Sequence, residues 1–156
     1  MKKVTFFLAI ALVGLTGCSE IGDDMSTNTL IPVSTNAGAE PTIGEIPSGP
    51  APTELVAQDV IVGTGATVAA TSMLTVHYTL LQWSDGSLIE SSWSSGNPAT
   101  FGLMDVIPGW QQGLVGAKAG SRRLLVIPPA LGYGPMAGHP LETQTLIFAV
   151  DIISIS

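Results

Sequence analysis

Leu74, Val76, Tyr78 and Leu80 alternate with Met73, Thr75, His77 and Thr79, a period of two with one strongly apolar side. Successive side chains of a strand point to opposite faces, so this spacing predicts a β-strand packed on one side. Ser84-Asp85-Gly86-Ser87 then reads as a turn, and Leu88-Ile89 opens the return limb of a hairpin. Two more strands are expected over Arg123–Ile127 and Thr145–Ile153, the second setting Leu146, Phe148, Val150 and Ile152 on one side. Val56–Val62, closed by Gly63-Thr64-Gly65, is a weaker first strand. One helix is expected, over Ile107–Val115, where Ile107, Trp110 and Leu114 share a face and Pro108 suits the first turn. A helix so short is marginal alone, so tertiary packing must hold it, with Trp110 wedged between helix and sheet. The expected fold class is α+β: an antiparallel five-stranded sheet with one short helix on its apolar face.

The ends of the pattern differ from its middle. Lys2 and Lys3 precede an uncharged run, Val4–Leu15. That run is too short to cross a hydrocarbon core that needs roughly 20 residues, and its architecture is that of a secretory signal. Leu15-Thr16-Gly17-Cys18 resembles the bacterial lipobox, which implies acylation of Cys18, removal of residues 1–17 and a lipid-anchored protein of the cell envelope. Ser19 after that cysteine is compatible with forwarding to an outer membrane, facing the periplasm. An ordinary residue beside a conventional cleavage site is the alternative for Cys18. From residue 18 to 53 Ser, Thr, Asn, Gly, Pro and acids dominate without a sustained period, so this stretch is expected to be a flexible tether. About 35 such residues would have an r.m.s. reach of about 30–35 Å. Leu30-Ile31-Pro32-Val33 then counts as stray hydrophobic residues, and the folded domain begins at residue 54.

Composition narrows the chemistry. The net charge is −7, with five basic against twelve acidic residues, and loss of the leader leaves −9. No basic stripe is available for nucleic acid, and anionic lipids would repel the domain, so attachment falls to acyl chains. One cysteine and two histidines make neither a disulfide framework nor an ordinary structural zinc site, and no metal or other cofactor is expected. The 18 glycines and 11 prolines fit a domain rich in turns.

Five blocks occur in order: Val76-His77-Tyr78-Thr79; Asp85-Gly86 with Ser91-Ser92; Val106-Ile107-Pro108-Gly109-Trp110 with Gly113-Leu114; Ile127-Pro128-Pro129 through Leu131-Gly132-Tyr133-Gly134; and Thr145-Leu146-Ile147-Phe148. Together they resemble the FKBP-type peptidyl-prolyl cis/trans isomerases across nearly all of residues 54–156. The resemblance implies a half-barrel sheet wrapped around the short helix, with an aromatic pocket between them that accepts a prolyl ring. Its partners would be proline-containing unfolded or folding polypeptides of the envelope, and macrolides such as tacrolimus.

By the same resemblance Trp110 is the floor of that pocket, Tyr78, Phe101 and Phe148 are walls, and Val106 and Ile107 line the rim. The Ile107 N–H would donate to a substrate carbonyl, and the Tyr133 hydroxyl would meet the carbonyl of the bond that turns. Where the family has Phe-Asp, this chain has Ile89-Glu90: Ile89 keeps an apolar wall, and the longer Glu90 either engages a pocket tyrosine or is a solvated hairpin acid. Ala99 stands where an aromatic wall is usual, and Leu141 is the expected apolar lip. The lost wall leaves a second reading, a peptide- or macrolide-binding module with weak or no catalysis. Histidines 77 and 139 read as structural, and Arg122 and Arg123 as solvated strand-end charges. Trp83 and Trp93 either grip hydrophobic peptide or pack within their loops.

Overall fold

The computed structural model describes residues 24–156. Six strands form one antiparallel sheet: β1 (Val56–Ile61), β2 (Met73–Gln82), β3 (Leu88–Ser91), β4 (Ala99–Gly102), β5 (Arg122–Ile127) and β6 (Leu146–Ile155). The order β1-β5-β6-β2-β3 joins the five strands that were expected, and β4 is an addition that also pairs with β2. β3 and β4 divide one edge of β2 between them, β3 facing Thr79–Leu81 and β4 facing Met73–Val76. In the gap the Ser92 hydroxyl takes over from a strand, accepting the Tyr78 N–H at 2.9 Å. A run as short as Ala99–Gly102, containing a glycine and following Asn97-Pro98, carries no period that would reveal it beforehand.

The one α-helix among the described residues, α1 (Pro108–Leu114), begins one residue later and ends one residue earlier than its spacing predicts. It lies close against β5 because glycines face the sheet. A Cβ on Gly109 would come within 2.5 Å of Ile127, and one on Gly113 within 2.7 Å of Leu125. Trp110 and Leu114 thereby join Leu74, Val76, Leu80, Leu125, Ile127, Phe148 and Ile152 in the main core. Arg123, paired across strands with Asp59 at 2.8 Å, donates a second bond of 2.8 Å to the Gly113 carbonyl and so pins the C-terminal end of α1.

The opposite face of the sheet is also covered, and here the expectation of a free tether fails. Residues 24–46 form an arm folded on itself, with bridges between Met25 and Ser34 and between Val33 and Ile43. Ile31 and Val33 are completely buried against Leu124, Val126, Ile147 and Ala149. Far from being stray, this hydrophobic pair fills a second core. Burying two such side chains contributes roughly 3–6 kcal/mol, enough to hold a short polar segment that lacks a period of its own.

Arg122 locks the arm in place. Its guanidinium forms a two-point pair with Asp151, at 2.6 and 2.7 Å, and donates to the carbonyls of Ser34 (2.7 Å) and Ala39 (2.6 Å) and to Asn36 Oδ1 (2.9 Å). With 1% of its side chain exposed it is no solvated charge, which corrects that expectation, as the helix-pinning bond does for Arg123. Removing one partner of such a buried pair typically costs about 3–5 kcal/mol. The folded unit therefore begins before residue 54, inside the segment expected to be loose. Cys18 and the leader lie outside the described residues.

Candidate active site

Between α1 and the inner face of the sheet lies an open hollow of about 390 Å³. Trp110, the third residue of α1 and 4% exposed, forms its floor. Tyr78 from β2 meets the indole edge-to-face at 5.7 Å and 84°, Phe148 from β6 at 5.2 Å and 86°, and Phe101 from β4 at 5.2 Å and 63°. Edge-to-face contact satisfies the ring quadrupoles, so the box is held rigid without filling its centre. The Trp110 indole N–H, though buried, has no hydrogen-bond partner among the described residues.

Val106 and Ile107 stand on the rim, where Pro108 starts the helix. The Ile107 N–H makes no backbone bond among the described residues, whereas its carbonyl accepts from Trp110 N–H at 3.0 Å. Tyr133 enters from the loop between β5 and β6 and stacks on His139, with centroids 4.1 Å apart and planes 5° from parallel. His139 also accepts the Leu141 N–H through Nδ1 at 3.1 Å, which makes it a brace for that loop.

The two tyrosines differ electrically. Burial pushes the Tyr78 hydroxyl well above the ordinary phenol range, and a side-chain hydrogen bond with Glu90, together with the charges of Glu90 and Tyr133, pushes it further. Burial raises Tyr133 too, followed by the charge of Glu90. Both are therefore neutral donors at physiological pH. Tyr78 is committed to Glu90, while the Tyr133 hydroxyl makes no hydrogen bond among the described residues and is available to a ligand. Glu90 is exposed on β3 while it partners Tyr78, so it shares features of both roles weighed for it.

Tyr78, Glu90, Phe101, Val106, Ile107, Trp110, Tyr133 and Phe148 thus meet around one hollow. Ile89 and Leu141 do not. Ile89 lines the neighbouring hollow at the sheet edge and not this one. Leu141 packs half-buried against the main core, and the lip expected of it is supplied by Met136, 52% exposed at the mouth. Leu80, Asp105 and Pro108 also line the hollow without having been singled out. Leu80 was legible as an inner-face residue of β2, whereas the place of Met136 depends on a loop whose turns show no period. Trp93 stacks on His77 at 4.0 Å and Trp83 packs beside the arm, so both serve loop packing.

Among the described residues, no serine, threonine, cysteine or histidine lines this hollow. The fold and the site define a protein with an open, aromatic-walled hollow between a short helix and the inner face of an antiparallel sheet. The family model described as "FKBP-type peptidyl-prolyl cis-trans isomerase" matches residues 65–153, and the chain belongs to that family. Its activity is the cis/trans isomerisation of peptide bonds to proline. It is similar to a "Probable FK506-binding protein" of Corynebacterium glutamicum, 46% identical over 111 residues that cover 70% of this chain and 94% of the relative. It is also similar to "Outer membrane protein MIP" of Legionella longbeachae, 37% identical over 75% of this chain and 48% of that one. Among solved structures, FkpA from Escherichia coli matches with a TM-score of 0.61 and 38% identity over 67% of this chain and 49% of the other.

Proposed function

We propose that this prolyl isomerase works in the bacterial envelope on unfolded or folding polypeptides, held at a membrane by acyl chains on Cys18. The observation that supports the reading best is the set of three rings standing edge-on to the Trp110 indole around an open hollow. The lipobox-like Leu15-Thr16-Gly17-Cys18 and a relative named as an outer membrane protein support the location. No helix among the described residues is long and apolar enough to cross a membrane.

Rotation about an X–Pro bond breaks amide resonance against a barrier of about 18–20 kcal/mol. A thousandfold acceleration asks for about 4 kcal/mol of preference for the twisted amide over the planar one. Trp110 receives the proline ring, with Tyr78, Phe101 and Phe148 closing around it. The walls displace the water that stabilises the planar amide dipole. The free Ile107 N–H holds the chain by one substrate carbonyl, and the Tyr133 hydroxyl donates to the carbonyl of the turning bond. Glu90 fixes Tyr78 in its place. No proton leaves any residue in this cycle, which suits two phenols whose ionisation is suppressed.

Isomerisation of an X–Pro peptide, followed by a protease-coupled assay on the full chain, tests the assignment. Trp110→Ala should lower kcat/KM at least tenfold and Tyr133→Phe several-fold, the loss of one hydrogen bond. Unchanged rates in both variants sink the residue roles. The second reading, a binder of peptides or tacrolimus-like macrolides with little turnover, draws on the missing wall at Ala99. Tight peptide binding by a wild type that does not accelerate the reaction would favour it.

A further inference from the structure

β3 is weakly secured for a strand that serves the site. It has four residues, β2 is its one neighbour in the sheet, the register slips between Leu80 and Leu81, and three of its four residues are exposed. Yet it carries Glu90, which lines the aromatic hollow and accepts the Tyr78 hydroxyl. A pocket ring whose partner rides on a loose edge strand is poorly placed unless something outside the sheet steadies that strand.

The arm supplies the hold. Ser91, the one buried residue of β3, donates its hydroxyl to Glu40 Oε1 at 2.8 Å, a bond spanning 51 residues of chain. The Thr79 hydroxyl, directly across the ladder from Ser91, is buried without a partner among the described residues, so Ser91 is committed to the arm and not to the neighbouring strand. Glu40 is itself fixed from both sides. Arg122 donates to the Ala39 carbonyl at 2.6 Å, while the Thr42 N–H donates to Ser34 Oγ and the Thr42 carbonyl accepts the Ser34 N–H, both at 2.9 Å. Near the turn of the same hairpin, the Trp83 indole N–H donates to the Gly49 carbonyl at 3.4 Å, and a Cβ on Gly86 would meet Ile46 at 3.2 Å. Residues 40–49 thus grip the β2–β3 hairpin at its turn and at the end that leads into the site.

We propose that Glu40 is a positioning residue for the isomerase: through Ser91 it holds β3 so that Glu90 stays on the Tyr78 hydroxyl and Tyr78 keeps its edge-on stance against Trp110. The effect on rate rests on the isomerase reading above. A hydrogen bond to a carboxylate is among the stronger kinds and fixes direction as well as distance. Small misplacements of a group that meets substrate cost turnover. The segment expected to be a loose tether is by this route part of the support of the site.

The test uses the full chain with Glu40→Ala and Glu40→Gln. Glutamine keeps a carbonyl oxygen for the Ser91 hydroxyl and loses only the charge. Glu40→Ala should therefore lower kcat/KM on an X–Pro peptide about threefold, and Glu40→Gln should match the wild type. In a Glu90→Ala background, adding Glu40→Ala should slow the reaction no further, because the two act along one line. Alkaline titration followed by phenolate absorbance, over the range in which circular dichroism shows the chain folded, reports on Tyr78 without turnover. A Tyr78 released from Glu90 ionises at lower pH, so Glu40→Ala should advance the titration and Glu40→Gln should leave it as in wild type. Equal losses in both variants, further slowing on top of Glu90→Ala, or a Glu40→Ala whose rate or titration equals that of wild type each overturns the proposal. If the wild type fails to isomerise the peptide, the isomerase reading falls, and the titration alone still decides whether Glu40 holds Tyr78 in place.

Discussion

At the scale of single residues the site depends on two phenols kept neutral by different surroundings. Tyr78 and Tyr133 both have their ionisation raised in the folded protein, chiefly by burial and then by Glu90. In the unfolded chain each titrates near 10. Above that pH the unfolded state binds fewer protons than the native one, so native stability is complete below about pH 10 and is lost as the pH climbs further. Urea midpoints measured between pH 8 and 11 should therefore stay level and then drop. Tyr78→Phe should soften the drop, since it removes the phenol with the most causes raising it; an unchanged slope would contradict the burial argument. Trp110, Tyr78, Tyr133 and Phe148 were legible from their motifs because each sits in a fixed block. The commitment of Arg122 was not, because its partners lie 29 residues ahead at Asp151 and more than 80 behind in the arm.

At the scale of elements, the strands and the helix were readable from spacing, and the arm was not. Yet the strands hold a sign of it. An antiparallel strand with one wet face alternates, whereas Leu124-Leu125-Val126-Ile127 and Leu146 through Val150 are unbroken apolar runs. Such runs demand cover on both faces, and α1 can supply only one. The second cover had to come from elsewhere in the chain, and Ile31 and Val33 were the apolar pair in a polar stretch available to supply it. Ile31→Ala should destabilise the full chain by about 2–5 kcal/mol in chemical unfolding, as for any fully buried isoleucine. A free tether would give no change. β4 escaped notice for the opposite reason: four residues with one glycine hold too little pattern to separate a strand from a loop.

For the whole molecule, the division of labour runs through the sheet: the aromatic hollow and α1 on one face, the arm on the other. The family domain was legible from its ordered blocks, while the arm packed beneath it was hidden by a composition that resembles disorder. The proposed anchor is to be tested on the intact chain. Metabolic labelling with palmitate should mark the wild type and leave Cys18→Ser unlabelled; an unlabelled wild type removes the anchor. The arm changes what such an anchor would do. With the chain already docked at Asp24, only the six steps from Cys18 remain, about 20 Å at full stretch. A globule of this size is roughly 35 Å across. The leash is thus shorter than the body it holds, so the enzyme would roll on the bilayer skin rather than roam above it, catching polypeptides only as they pass the lipid surface.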